Sequence, residues 1–154
     1  MPMKHIRRIY LDVCCLNRPS DDQAQERVRL EAEAVKSVLL RIGMGHWVGV
    51  GSDVIDFEID RISDPDRHLE VASMVSGFSE YVSIGVPEHR RGLELERWGF
   101  GPTDALHVAC GEKAQVDALL TTDDHLLRKA NRHAGELAIR VANPLTWLEE
   151  VSRK

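Results

Sequence analysis

With 154 residues, the chain is long enough to bury one sizeable core and too short to make two ordinary domains comfortable. Its residues are 43% hydrophobic and 29% charged, without a low-complexity run, which is the composition of a compact folded chain, and its formal net charge of −5 offers no compositional argument for a broad basic nucleic-acid stripe. No apolar stretch is long enough to span a bilayer, and residues 1–8 are basic with no apolar signal core behind them, so the expectation is a cytoplasmic protein without a membrane partner.

In chain order, residues 6–12 (IRRIYLD) are β-branched and aromatic and stop abruptly at a polar residue, predicting a strand with Asp12 at its carboxyl end. From Asp21 onward, Ala24, Val28, Ala32, Val35, Leu39 and Ile42 recur at three- and four-residue intervals, the mark of one face of a long helix. Gly43 and Gly45 end it. Residues 47–51 predict a short strand, and Ser52 or Asp53 caps a helix carrying Val54, Ile55, Phe57, Glu58 and Ile62. The GVGS run there looks superficially like a phosphate loop, but it lacks the third glycine and the length of a dinucleotide fingerprint.

Pro65 opens a helix expected to reach about residue 79, and residues 81–86 (YVSIGV) read as a third strand. Helices at 88–97 and about 102–113 follow, separated by Gly99 and Gly101. Residues 118–122 (ALLTT) predict a buried strand punctuated by Asp123 and Asp124, then a helix with Leu126, Leu127 and Ala130. A last strand at 138–142 and a last helix at 144–151 complete the series. Alternation almost throughout predicts one α/β domain over residues 1–154, its mainly parallel sheet covered by helices on both faces. Such sheets bind ligands outside the carboxyl ends of their strands.

Each acid near those ends has an ordinary explanation when taken alone. Asp12 and Asp123 suit turns and caps, Asp104 lies in a first helical turn where the dipole favours an anion and Thr103 is a candidate cap, and Glu58 is a candidate solvated helix residue. The combination is more specific, because all four can converge on one sheet edge. Gathered carboxylates raise one another's pKa, and a hard divalent cation removes that cost. Magnesium or manganese suits an oxygen-only donor set, and no zinc spacing is present. A cation so held promotes phosphodiester hydrolysis.

The runs IYLDVCCLNRP, SDVIDFEID and GPTDALHVACGEKAQVDALLTTDDHLL resemble the PIN domain in order and spacing, above all the bacterial VapC-like toxins. The resemblance implies a three-layer α/β/α sandwich with a central, mainly parallel sheet of four to five strands. It assigns Asp12, Glu58, Asp104 and Asp123 as catalytic and metal-binding acids, with Thr121 or Thr122 supporting the last. Asp124 is an alternative to Asp123, and Asp56 a weaker alternative to Glu58. Cys14 stands where relatives often carry asparagine or serine, and Asn17 is a nearby polar candidate. The implied activity is a Mg2+- or Mn2+-dependent endoribonuclease leaving a 5′-phosphate and a 3′-hydroxyl. The implied partners are RNA, a small antitoxin with a basic side chain for the acidic site, and a second copy in a homodimer.

His107, one helical turn beyond Asp104, reads as a packed or supporting residue rather than a ligand. Trp47, Trp98 and Trp147 read as core or interface rather than as base-stacking platforms, and the three cysteines as reduced thiols, mostly buried. The pairs Arg90 with Arg91 and Arg128 with Lys129 are candidate phosphate contacts but more ordinarily solvated helix faces. An aspartyl-phosphate phosphatase would need an aspartate where Cys14 stands. The remaining alternatives are a non-toxin PIN-like nuclease acting on other nucleic acids, and an interaction module without activity.

Overall fold

Ile9, Tyr10 and Leu11 are fully buried, as befits a strand covered on both faces, where an apolar run rather than an alternating one is needed. They belong to β1 (Arg8–Leu11), the centre of a five-stranded sheet in the computed structural model, which describes residues 5–153. Residues 1–4, part of the basic start, and residue 154 lie outside the described residues. The other strands are β2 (Val48–Ser52), β3 (Glu80–Val82), β4 (Ala118–Leu120) and β5 (Val141–Ala142). Their order is β3-β2-β1-β4-β5, and every pairing is parallel. Ile9 is in register with Gly49 on one side and Ala118 on the other.

The chain therefore winds outward from β1 in one direction, then returns to place β4 against β1's free side. That reversal between β1 and β4 opens a crevice at the strands' carboxyl ends, the place where open α/β sheets receive ligands. Asp12 follows β1 and Thr121 follows β4, so both border it.

Among the described residues eight helices supply the crossovers and the cover: α1 (Val13–Asn17), α2 (Glu26–Gly43), α3 (Asp53–Asp60), α4 (Pro65–Val75), α5 (Val86–Arg97), α6 (Pro102–Ala114), α7 (Asp124–Arg132) and α8 (Pro144–Ser152). α2 packs with α8, and α6 packs with α5 and α3. The buried stripe of α2 contains Val28, Ala32, Val35, Val38 and Ile42, and, unexpectedly, Glu31. Full burial of each large aliphatic side chain contributes roughly 1.5–3 kcal/mol before conformational entropy opposes it. Among the described residues no helix is long and apolar enough to cross a membrane.

The elements differ from the sequence reading mainly at their ends. The long helix begins at Glu26 instead of near Asp21, because residues 13–20 form the short α1 and a single 3-10 turn containing Pro19, neither of which shows a helical apolar stripe of its own. The third strand is Glu80–Val82 rather than 81–86. Gly85 and Pro87 commit the following residues to the start of α5, where Glu88 reaches back to the Gly85 N–H at 3.0 Å. The fifth strand shrinks to two residues. Ser52, not Asp53, caps α3 by accepting from the Ile55 N–H at 3.1 Å, and α6 is capped by Gly101 rather than Thr103, with Pro102 as its first helical residue. GVGS is the body of β2, and a Cβ at Gly49 would meet the Phe78 ring at 2.4 Å, so that glycine serves close packing rather than a phosphate.

Candidate active site

Asp12 occupies the crevice with its backbone and side chain both committed. Its N–H donates to the Leu120 carbonyl at 3.1 Å, tying it to the end of β4, and its carboxylate caps α1 by accepting from the Cys15 N–H at 3.0 Å. The residue is 2% exposed. Burial lifts its carboxyl pKa from 3.8 to about 6, with the Asp104 charge adding to the rise, while the His107 ring, the Thr121 hydroxyl and the Cys15 N–H pull against it.

The three other acids arrive on separate elements. Glu58 is half-buried on α3 and pairs with Nε2 of His107. Asp104, in the first turn of α6, has a raised pKa, chiefly through burial and then through the charges of Asp123 and Glu58, with His107 and His125 opposing. Asp123 caps α7 by accepting from the His125 N–H at 2.9 Å, and its own N–H donates to Thr121 Oγ1 at 3.1 Å. Thr121 and Thr122 are both buried. Thr121 thus braces the loop that carries Asp123, whereas the Thr122 carbonyl faces Arg27 Nη2 at 3.4 Å.

One thiol senses the whole group. Crowding, and after it the charges of Asp12, Asp123, Glu58 and Asp104, push the Cys14 thiol up to about 12. Four carboxylates separated by more than a hundred residues of chain therefore share one electrostatic neighbourhood, and no lysine or arginine appears among the principal influences on Asp12 or Asp104. The neighbourhood is loose: among the described residues no three histidine, cysteine, aspartate or glutamate side chains are gathered as closely as a ready metal cage. Each of three acids is bound to its own surroundings, Asp12 and Asp123 by their cap bonds and Glu58 by His107. As a donor set, the oxygens still suit a hard divalent cation, whose charge would offset the rise in pKa at Asp12 and Asp104.

The alternative acids are engaged elsewhere. Asp124 is exposed and makes a two-pronged pair with Arg27 at 2.7 and 2.8 Å, which holds its carboxyl below the usual range. Asp56 lies 2.7 Å from the Tyr81 hydroxyl, which also reaches Asp53 at 2.7 Å. Asn17, the last residue of α1, has a buried side-chain oxygen with no hydrogen-bond partner among the described residues.

Sequence reasoning missed two side chains beneath the site. The Tyr10 hydroxyl lies 2.6 Å from His107 Nδ1 and 2.7 Å from Ser52 Oγ, and all three residues are buried. A phenol set inside an aliphatic strand was the available signal, since a buried hydroxyl needs a partner. His107 itself is buried and packed edge-on against the Tyr10 ring, in keeping with a supporting residue. Trp147 is buried against Trp47, and Trp98 stacks on His133. Cys15 and Cys110 are buried and Cys14 is exposed, and all three thiols are free. Of the basic pairs, Arg91 is taken up by Glu112 and Glu94.

No family model matches the chain, and no curated protein matches it. Solved structures do. A chain of FitAcB from Neisseria gonorrhoeae superposes with a TM-score of 0.59 at 14% identity, over 88% of this chain and 97% of that one. A chain of VapBC2 from Rickettsia felis, bound to a DNA fragment from their promoter, gives 0.56 at 11% identity over 88% and 98%. At such identities the likeness concerns the fold alone: an all-parallel five-stranded sheet in a PIN-like α/β/α arrangement.

Proposed function

We propose that the protein is a Mg2+- or Mn2+-dependent endoribonuclease and the toxin of a toxin–antitoxin pair. The observation that carries this reading is the set of four acids, from the ends of β1 and β4 and from α3 and α6, whose charges all reach Cys14, with the carboxyl pKa raised at Asp12 and Asp104 and no lysine or arginine among the principal influences on those two. Asp12, Glu58, Asp104 and Asp123 would hold the cation. When bound it polarises a phosphoryl oxygen and makes water a better nucleophile near neutral pH. The chain's own work is to fix those carboxylates: Cys15 N–H orients Asp12, the α7 cap orients Asp123, and Thr121 braces the turn between β4 and α7.

Partner proteins belong to the same proposal. FitAcB and VapBC2, the assemblies whose chains share this fold, favour a small antitoxin as partner. Phe57, Val86 and Leu93 are more than half exposed, and Phe57 lines a shallow apolar hollow with Val54, Ile84, Thr103 and Leu106, next to Glu58 and Asp104 in sequence. Such a surface suits a second copy of the chain, and size-exclusion chromatography with light scattering should return a dimer.

Purified protein should cut single-stranded RNA with Mg2+ or Mn2+ and lose that activity in EDTA. A panel of labelled RNA strands, RNA hairpins and DNA flaps discriminates an endoribonuclease from a nuclease for other nucleic acids. Cleavage that persists in EDTA, or an Asp104→Asn protein that cuts as fast as the original, refutes the assignment.

A further inference from the structure

The hydrogen-bonded row Ser52, Tyr10, His107, Glu58 runs from β2 through the central strand to α6 and out to α3. Only its last member is an acid of the site. The other three are buried, with His107 1% exposed. Buried polar groups at this density are costly unless each is satisfied, so a fully bonded row inside the core asks for a reason.

We propose that His107 is a positioning residue for Glu58, locked in one ring orientation by Tyr10 and Ser52. The inference rests on the metal-nuclease reading for its consequence but not for its geometry. A carboxylate brings no proton to a hydrogen bond, so His107 Nε2 carries the hydrogen and donates it to Glu58 whether the ring is neutral or charged. Turning the ring over would put a carbon where Nε2 now meets Glu58, and would remove Nδ1 from its 2.6 Å contact with the Tyr10 hydroxyl. Tyr10 is held in turn by Ser52 Oγ at 2.7 Å, and Ser52 by its role as the α3 cap, accepting from Ile55 N–H. The cap that starts α3 and the row that orients Glu58 on the same helix thus share one hydroxyl. The helix and its acid are fixed together.

Histidines bonded to metal-binding carboxylates typically change metal affinity 10–100-fold when removed. Two experiments separate this inference from the reading beneath it. In metal-chelated protein, long-range 1H–15N correlation spectra should show His107 with a hydrogen on Nε2, and Tyr10→Phe should loosen that preference. A ring carrying its only hydrogen on Nδ1 overturns the proposal, whatever the protein does to RNA.

In the second, Mn2+ binding is followed by isothermal titration calorimetry. His107→Leu should weaken binding by on the order of tenfold or more, His107→Gln, which keeps a donor, should restore most of it, and His107→Leu should add nothing in a Glu58→Gln background. If the original protein binds Mn2+ and His107→Leu binds it equally well, or weakens it just as much without Glu58's carboxylate, the positioning role falls and the metal site stands. If the original protein binds no divalent cation, the nuclease reading falls and takes the functional consequence with it.

Discussion

Asp12 and Glu31 are equally buried, at 2% exposure, and their surroundings are opposite. Glu31, on the inner face of α2, accepts from Arg18 Nε at 2.9 Å, Arg27 Nε at 3.2 Å and Asn143 Nδ2 at 2.6 Å. It ties α2 to the turn after α1 and to the start of α8. Asp12 has one backbone N–H, a hydroxyl nearby and other acids around it. Where the fold needs a buried charge as a joint, it surrounds that charge with cations and donors. Around the crevice no lysine or arginine is among the principal influences on Asp12 or Asp104, and the opposing histidines do not cancel the rise in their pKa, which is unfavourable for stability and favourable for taking up a cation.

The contrast can be broken most decisively by activity. Replacing Asp12 or Asp104 with asparagine should remove several kcal/mol of transition-state stabilisation, roughly a thousandfold in rate, measured as initial cleavage rates with circular dichroism unchanged. At Glu31 the effect should move to stability. Glu31→Ala strands Arg18 and Asn143 and should cost about 3–5 kcal/mol in urea unfolding, with cleavage retained by the fraction that stays folded. An unstable Asp104→Asn protein, or an inactive but stable Glu31→Ala protein, would reverse the roles assigned to the two regions.

The pH dependence sharpens the same point. Because the folded-state pKa of Asp12 lies near 6 and its unfolded value near 3.8, the folded chain binds more protons between those values. Stability is therefore lost as pH rises through that window, with the full penalty present above about pH 6 and absent below about pH 4. In EDTA at pH 7.5, Asp12→Asn should stabilise the protein by up to about 3 kcal/mol, the gain vanishing at low pH. Added Mg2+ should stabilise the original protein and leave the variant unmoved. At the smaller end, Asp123→Ala loses the α7 cap, about 1 kcal/mol, in addition to activity. Asp124→Asn breaks only an exposed, solvent-screened pair with Arg27 and should leave melting and cleavage nearly unchanged.

Much of the fold could be read because the strands are buried on both faces and their crossovers are amphipathic, so the alternation is written as runs such as IYL and ALL between periodic helices. Strand ends were harder: Ser83 and Ile84 look extended by composition, and it is Gly85 and Pro87 that hand the chain to α5. The motifs name the four candidate acids and leave Asp123 and Asp124 as alternatives; that Asp124 is taken up by Arg27, 97 residues away, is something no local pattern reveals. Glu31 left a trace, an acid on the same stripe as Val28, Ala32 and Val35. Tyr10 and Ser52 belong to strands that are neighbours only in space, and periodicity carries no information about such pairing.

The placement of β4 against β1 has a consequence for the order of events during synthesis. Asp12 precedes its backbone partner Leu120 by more than a hundred residues, and the loop bearing Asp123 comes later still. A ribosome-tethered chain has no crevice until β4 and the loop after it emerge, so whatever these acids do is withheld from every copy that stops short of them.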